Sequence, residues 1–208
     1  MKFYIIKTPS IIQRLFSRYT WRFSSSKKEV YLTFDDGPTP EVTNFVLSEL
    51  KKHNAKATFF CIGKNVKSHP SIYQEILKDG HSVGNHTFLH LKGTKTKNTV
   101  YLDDTKHASA HIHSNLFRPP YGKMKLSQAK MLRKSGYQII MWNVLSGDFD
   151  LAITPEKCLE NVLRNTTNGS IIVMHDSLKA KEKIFYALPR ILVYFQEKGI
   201  QLKAIPYN

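Results

Sequence analysis

From Glu29 onward, short apolar runs alternate with stretches whose apolar residues recur at helical spacing. Residues 30–34, 56–62, 81–84, 116–118, 137–144, 170–175 and 201–205 read as strands, rich in β-branched and aromatic residues. Between them, Val42, Phe45, Val46 and Leu50 share one helical face. Thr39, Pro40 and Glu41 before them suit an N-cap, a first helical position and the positive end of a helix. Further helices are predicted over 70–79, 99–113, 126–135, 155–165 and 182–198, three of them stopped by Gly80, Gly136 and Gly199. About seven strands alternating with helices imply an α/β fold built on a parallel sheet or barrel. In such folds chemistry collects at the C-terminal ends of the strands.

Residues 1–28 stand apart. The first thirty residues hold seven Lys or Arg against one Glu, and their apolar pieces are short. Charges interrupt them before any run reaches the length of a signal segment or a membrane span. That favours a cytoplasmic or peripheral-membrane protein. Residues 11–21 suit a basic amphipathic helix, packed on the domain's own surface or lying on an anionic membrane, with the packed arrangement favoured. The rest, 29–208, reads as one catalytic domain.

Composition narrows the classes. In 208 residues, 41% hydrophobic and 12% aromatic content supports a real core and excludes disorder. The net charge of +15 points to anionic surroundings. No Lys/Arg block or nucleic-acid module accompanies it, so no specific nucleic-acid partner is expected. Cys61 and Cys158 do not make a disulfide framework, and Cys61 sits in an apolar run as a small buried hydrophobe. A monomer is expected.

The strand ends deliver an unusual set of polar residues: Asp35 and Asp36, His86 and His90, Arg118, Asp148, and His175. His86 and His90 are four residues apart, which on a helical turn puts two imidazoles on one face. Asp36 supplies a third, hard oxygen ligand. Two His and one carboxylate with open positions suit a catalytic divalent metal, Zn²⁺ first, with Co²⁺ or Ni²⁺ as alternatives. Asp35 is then free to act as a base, with Arg118 holding its orientation. His175 can protonate a leaving group, with Asp148 fixing its tautomer. The remaining histidines lack matching acids; His111 and His113, two apart on a helix, point away from each other.

These motifs resemble the polysaccharide deacetylases, the NodB-homology carbohydrate esterases (family 4), from about Val30 to the C-terminus. Thr33-Phe-Asp-Asp-Gly37 is similar to the family's first motif, with the base and a metal ligand. His86-Thr-Phe-Leu-His90 is similar to the second, with two more ligands. Arg118-Pro-Pro-Tyr121 resembles the third, in which Arg orients the base and the Tyr backbone N–H serves the oxyanion. Ile172-Val-Met-His175 resembles the fifth, with the general acid. The fourth departs: Asp148 matches the Asp that tunes the catalytic His, but Leu145 and Phe149 stand where an Asp and a Trp are usual. The resemblance implies a distorted (β/α)7 barrel and removal of acetyl groups from an N-acetylated glycan: peptidoglycan, a chitin-like oligomer or a lipid-linked sugar. Pro119, Pro120, Trp142, Phe149 and Met174 are the expected substrate-pocket residues. The alternative is an idle metal- and glycan-binding protein on the same scaffold.

Overall fold

The computed structural model describes residues 4–207. In chain order the elements are α1 (Ser10–Leu15), β1 (Glu29–Asp35), α2 (Val42–Lys52), β2 (Thr58–Cys61), α3 (Gly63–Ser68), α4 (Pro70–Lys78) and β3 (Ser82–Asn85). They continue with α5 (Asn98–Ser109), β4 (Leu116–Phe117), α6 (Leu126–Lys134), β5 (Gln138–Ile139), β6 (Val144–Leu145), α7 (Pro155–Asn165), β7 (Ile171–His175), α8 (Lys181–Glu197) and β8 (Gln201–Leu202). Every strand pairing is parallel, in the order β5-β4-β3-β2-β1-β7-β6, with β8 added beside the start of β1.

The strand expected over 137–144 is two strands, and the break shapes the molecule. β5 and β6 lie at opposite ends of the sheet path, yet only residues 140–143 separate them. Seven strands laid flat would put their edges about 29 Å apart at about 4.8 Å per step. Five peptide units reach about 17 Å at most. The sheet therefore curls, bringing its two edges together as a distorted barrel.

Residues 4–23 fill the seam between those edges. Leu145 N–H donates to Ile6 and Thr8 N–H to Asn143; Thr20 N–H donates to Ile139, and Met141 N–H to Thr20. Edge N–H and C=O groups that would otherwise be open are thus paired. The helix expected over 11–21 lasts only Ser10–Leu15, because Thr20 is drawn into a bridge with Ile140.

Alternation along the strands divides the core. Leu32 and Phe34 of β1 and Ile172 and Met174 of β7 pack outward under α2, α7 and α8, with Val46, Leu50, Val162, Leu188 and Ile191. Their neighbours face inward, where Phe60, Leu116, Ile140, Ile171 and Ile205 form a smaller cluster. Both cysteines are buried and free.

Three local expectations differ from the fold. Thr39 is not a helix cap and Pro40 is not the first helical residue. Glu41 takes φ +69°, and α2 starts at Val42. The turn is held by Thr43, whose hydroxyl accepts from Thr39 N–H at 2.7 Å and donates to Asp176 at 2.6 Å. Residues 86–90 are not helical, since Thr87 and His90 have φ +63° and +57°. Helix α3 had no sequence signal; its first N–H groups, from Gly63 and Lys64, donate to Thr87 and Phe88.

Candidate active site

Two adjacent carboxylates leave β1 in different directions. Asp35 is the last residue of the strand, paired in register with Phe60 on one side and His175 on the other. Asp36 takes φ +84°, an uncommon conformation for a residue with a Cβ. Such a conformation costs about 1–3 kcal/mol and persists only where the surroundings enforce it. Asn65 of α3 does so, donating to the Asp36 carbonyl at 2.7 Å.

Asp35 meets Arg118, which is fully buried. Arg118 Nη1 donates to Asp35 Oδ1 and to Thr33 Oγ1, both at 2.7 Å. Its other nitrogens donate to the Ile140 and Met141 carbonyls, and its guanidinium lies 4.0 Å from the Phe60 ring centre. Burial lowers its pKa and Asp35 opposes the drop. A buried pair contributes orientation when its polar atoms are paired, and here each guanidinium nitrogen has at least one acceptor. The carbonyl of the same Arg118 accepts from His86 Nδ1 at 2.8 Å. That bond puts the His86 proton on Nδ1 and leaves Nε2 with its lone pair.

Asp36, His86 and His90 converge. Asp36 Oδ1 lies 3.6 Å from His86 Nε2 and 3.2 Å from His90 Nε2. Among the described residues this is the group of three whose ligand atoms could hold one metal ion. Asp36 Oδ1 is buried without a hydrogen-bond partner, and burial pushes His86 down to about 4, the neutral form that ligates. Burial raises the Asp36 pKa, but the imidazoles of His90, His175 and His86 around it outweigh that effect and hold the carboxyl below its usual range. An orphaned carboxylate oxygen facing the Nε2 atoms of two imidazoles fits a divalent cation.

The loop carrying the two imidazoles is pinned from below. Asp104 of α5 accepts from the N–H groups of Phe88 and Leu89 at 2.8 and 3.1 Å, and Asn85 Oδ1 accepts from Thr87 N–H at 2.8 Å. On the other side of the site, Asp148 grips His175 twice: Oδ1 accepts from Nδ1 at 2.7 Å and Oδ2 from the backbone N–H at 2.6 Å. Burial would lower the His175 pKa, but Asp148, with Asp36 and Asp35, lifts it to about 10. The ring thus carries a proton at neutral pH. Next to it, buried Asp176 accepts from Gly37 N–H at 2.9 Å and from Thr43. Burial first, with Asp36 adding, raises it to about 7 against those two donors.

This region of the sequence is recognisable at the family level. A family model described as polysaccharide deacetylase matches residues 23–140. The chain belongs to the polysaccharide deacetylase family. A peptidoglycan-N-acetylglucosamine deacetylase of Bacillus cereus is 33% identical over 91% of this chain and 72% of its own. A chitooligosaccharide deacetylase of Azorhizobium caulinodans is 32% identical over 89% of this chain and 96% of its own. The solved structure of the Bc1960 peptidoglycan N-acetylglucosamine deacetylase superposes with a TM-score of 0.85 at 30% identity, covering 96% of this chain and 95% of that one.

In this deacetylase-family chain, Asp35, Asp36, His86, His90 and His175 share one cavity of about 890 Å³. Pro119, Trp142 and Phe149 line it, as does Leu145. Phe149 stands edge-on to His175 with ring centres 5.3 Å apart, so the residue in place of the expected Trp walls the His175 side. Two expected pocket residues do not reach the cavity. Met174 lies on the other face of β7, packed in the outer core, and it is Val173 that faces the site. Pro120 is buried in the turn before Gly122, where Tyr121 adopts φ +60° and turns its ring over His90 at 4.6 Å. The sequence also did not single out Tyr4, Ile12, Phe16, Tyr19 and Trp21, which form one cavity wall from the N-terminal segment. Asp104 and Asp176 were missed too; each is an acid near an apolar stretch, with no spacing that marks it.

Proposed function

We propose that this chain is a metal-dependent hydrolase that removes the acetyl group from N-acetylglucosamine units of a glycan, with Zn²⁺ as its metal. One observation carries the proposal. A three-ligand cluster, a base clamped by Arg118 and an acid clamped by Asp148 open into the same cavity.

Asp36, His86 and His90 would hold the cation. When bound there, a divalent cation polarises the acetyl carbonyl and acidifies water, lowering the cost of forming a nucleophile near neutral pH. The chain's own residues supply the rest. Asp35, with one oxygen on Arg118, takes a proton from the attacking water as its oxygen bonds to the acetyl carbon. Arg118 keeps the carboxylate aimed. The backbone N–H of Tyr121 donates to the oxyanion of the tetrahedral intermediate. His175 then gives its proton to the amide nitrogen as the C–N bond breaks. The products are acetate and a free sugar amine. Asp148 both keeps that proton on the ring and holds the imidazole in place. Trp142, Tyr121 and Phe149 offer apolar faces for the sugar.

The substrate reading, a peptidoglycan or chitin-like N-acetylglucosamine chain, is supported by the peptidoglycan and chitooligosaccharide deacetylases this chain is similar to and by a cavity near the upper end of ordinary small-molecule sites. Acetate release from N-acetylglucosamine oligomers and from peptidoglycan tests it. Turnover should vanish with a chelator and return with Zn²⁺. A metal-loaded protein that frees no acetate from any of these glycans would refute the proposal.

A further inference from the structure

The rim of the cavity is apolar and basic, and α1 on it is left without packing of its own. Helix α1 has three apolar residues among its six and buries none. Ile12, with Phe16 just beyond the helix, turns towards the cavity. Ile11 and Leu15, one helical turn apart, turn to solvent and are 66% and 74% exposed. Across the mouth, Leu126 lines the cavity while being 70% exposed, and Tyr121 beside it is also exposed. An apolar ring around an opening marks an interaction site.

The charge of the rim selects the partner. Lys7, Arg14 and Arg18 are exposed on the N-terminal segment, and Lys123 and Lys179 on the facing wall. Among the described residues, Arg14, Arg18, Lys123 and Lys179 form no ion pair with a carboxylate. The carboxylates that line the cavity, Asp35 and Asp36, lie in the catalytic cluster that Arg118 and the two imidazoles hold. The whole chain carries +15, so a second copy of it would be repelled at this face. Aliphatic side chains interleaved with unpaired cations match the boundary of an anionic bilayer, where the apolar groups enter the acyl region and the cations meet the headgroups.

We propose that this rim docks on an anionic lipid surface, with α1 and the Tyr121–Leu126 wall as its contact face, and so holds the cavity mouth at the lipid–water boundary. The docking does not depend on the reaction the cavity performs. Co-sedimentation of the full chain with vesicles tests it without any turnover. Mixed phosphatidylcholine–phosphatidylglycerol vesicles should bind the protein, with affinity that falls as salt rises, and phosphatidylcholine alone should bind it far more weakly. The double variant Ile11→Ser, Leu15→Ser keeps the net charge and removes only the apolar anchor. It should bind mixed vesicles at least about tenfold more weakly, while acetate release from a soluble N-acetylglucosamine oligomer stays at the parent rate. Arg14→Gln with Arg18→Gln should weaken binding most at low salt. No binding to mixed vesicles at low salt overturns the proposal. So does unchanged binding by the Ile11/Leu15 variant, which would make the rim a general polyanion site. Loss of acetate release in the parent protein would refute the deacetylase reading and leave the vesicle result standing.

Discussion

Asp35 and Asp36 are neighbours with separate partners, and the separation is conformational. The strand geometry of Asp35 sends it to Arg118, while the left-handed turn of Asp36 sends it to His86 and His90. Replacing Asp35 with Asn keeps the shape and removes the proposed base. Replacing His175 with Ala removes the proposed acid and leaves Asp148 partnered by a backbone N–H. Each should cut acetate release by about 10²- to 10⁴-fold, with an unchanged circular dichroism spectrum; a folded Asp35→Asn protein at near-parental rates would refute its role. His81 tests a different residue property. It is buried, accepts from Ala57 N–H through Nδ1, and is pushed by burial and by Lys56 down to about 4, with Asp79 opposing. Unfolding restores an ordinary value near 6.5, so the unfolded chain binds the extra proton between those limits. The neutral form's contribution is therefore complete above about pH 6.5 and is lost as pH falls towards 4. The loss is on the order of 3 kcal/mol at about 1.4 kcal/mol per pH unit. Urea unfolding at pH 7 and pH 4.5 should show a smaller acid loss for His81→Asn than for the parent; equal losses would rule His81 out as the source.

At the scale of elements, the loop 86–90 is where the residue pattern misleads and packing corrects it. An i, i+4 pair suggested a helical turn, yet two residues with positive φ bring the imidazoles together without one. What replaces helical hydrogen bonds is a set of tertiary ones: Asp104 to Phe88 and Leu89, Asn85 to Thr87, and the start of α3 to Thr87 and Phe88. Asp104→Ala leaves two loop N–H groups without their acceptor, at about 1–3 kcal/mol each. The ligands would then lose their fixed spacing. Zn²⁺ affinity, measured by chelator competition, should drop by about 10- to 100-fold, the usual cost of losing support behind a ligand. An unchanged affinity would show that α3 and Asn85 suffice.

At the scale of the whole molecule, the N-terminal segment closes what the sheet leaves open. Residues 4–23 hydrogen-bond to both edge strands and supply one wall of the cavity. Deleting residues 1–22 removes at least four inter-segment backbone bonds, each worth about 1 kcal/mol net. The melting temperature should fall on the order of 10 °C, at about 2–4 °C per kcal/mol for a chain of this size. Aggregation through the uncovered β5 and β6 edges should accompany the drop. A truncated protein with the parent's melting temperature would mean the segment is an accessory to the barrel.

The amino-acid sequence by itself determined the alternation of strands and helices, the α/β class and the residues placed at the strand ends. Those follow from local rules: apolar periodicity, glycine stops, and polar residues where an apolar run ends. Asp35, Asp36, Arg118, Asp148 and His175 were legible because each sits at or just beyond such a boundary. Tertiary structure alone decided which of them touch. It decided that Arg118 serves Asp35 with its guanidinium and His86 with its carbonyl, that Met174 faces the core while Val173 faces the site, and that one apolar run, 137–144, is split across a seam. Asp104, Asp176 and the N-terminal wall were illegible for the same physical reason. Their partners lie at least 15 residues away in sequence, and only the fold brings them within hydrogen-bond reach: α5 against the loop 86–90 for Asp104, the pairing of β1 with β7 for Asp176, and the curl of the sheet for the N-terminal wall.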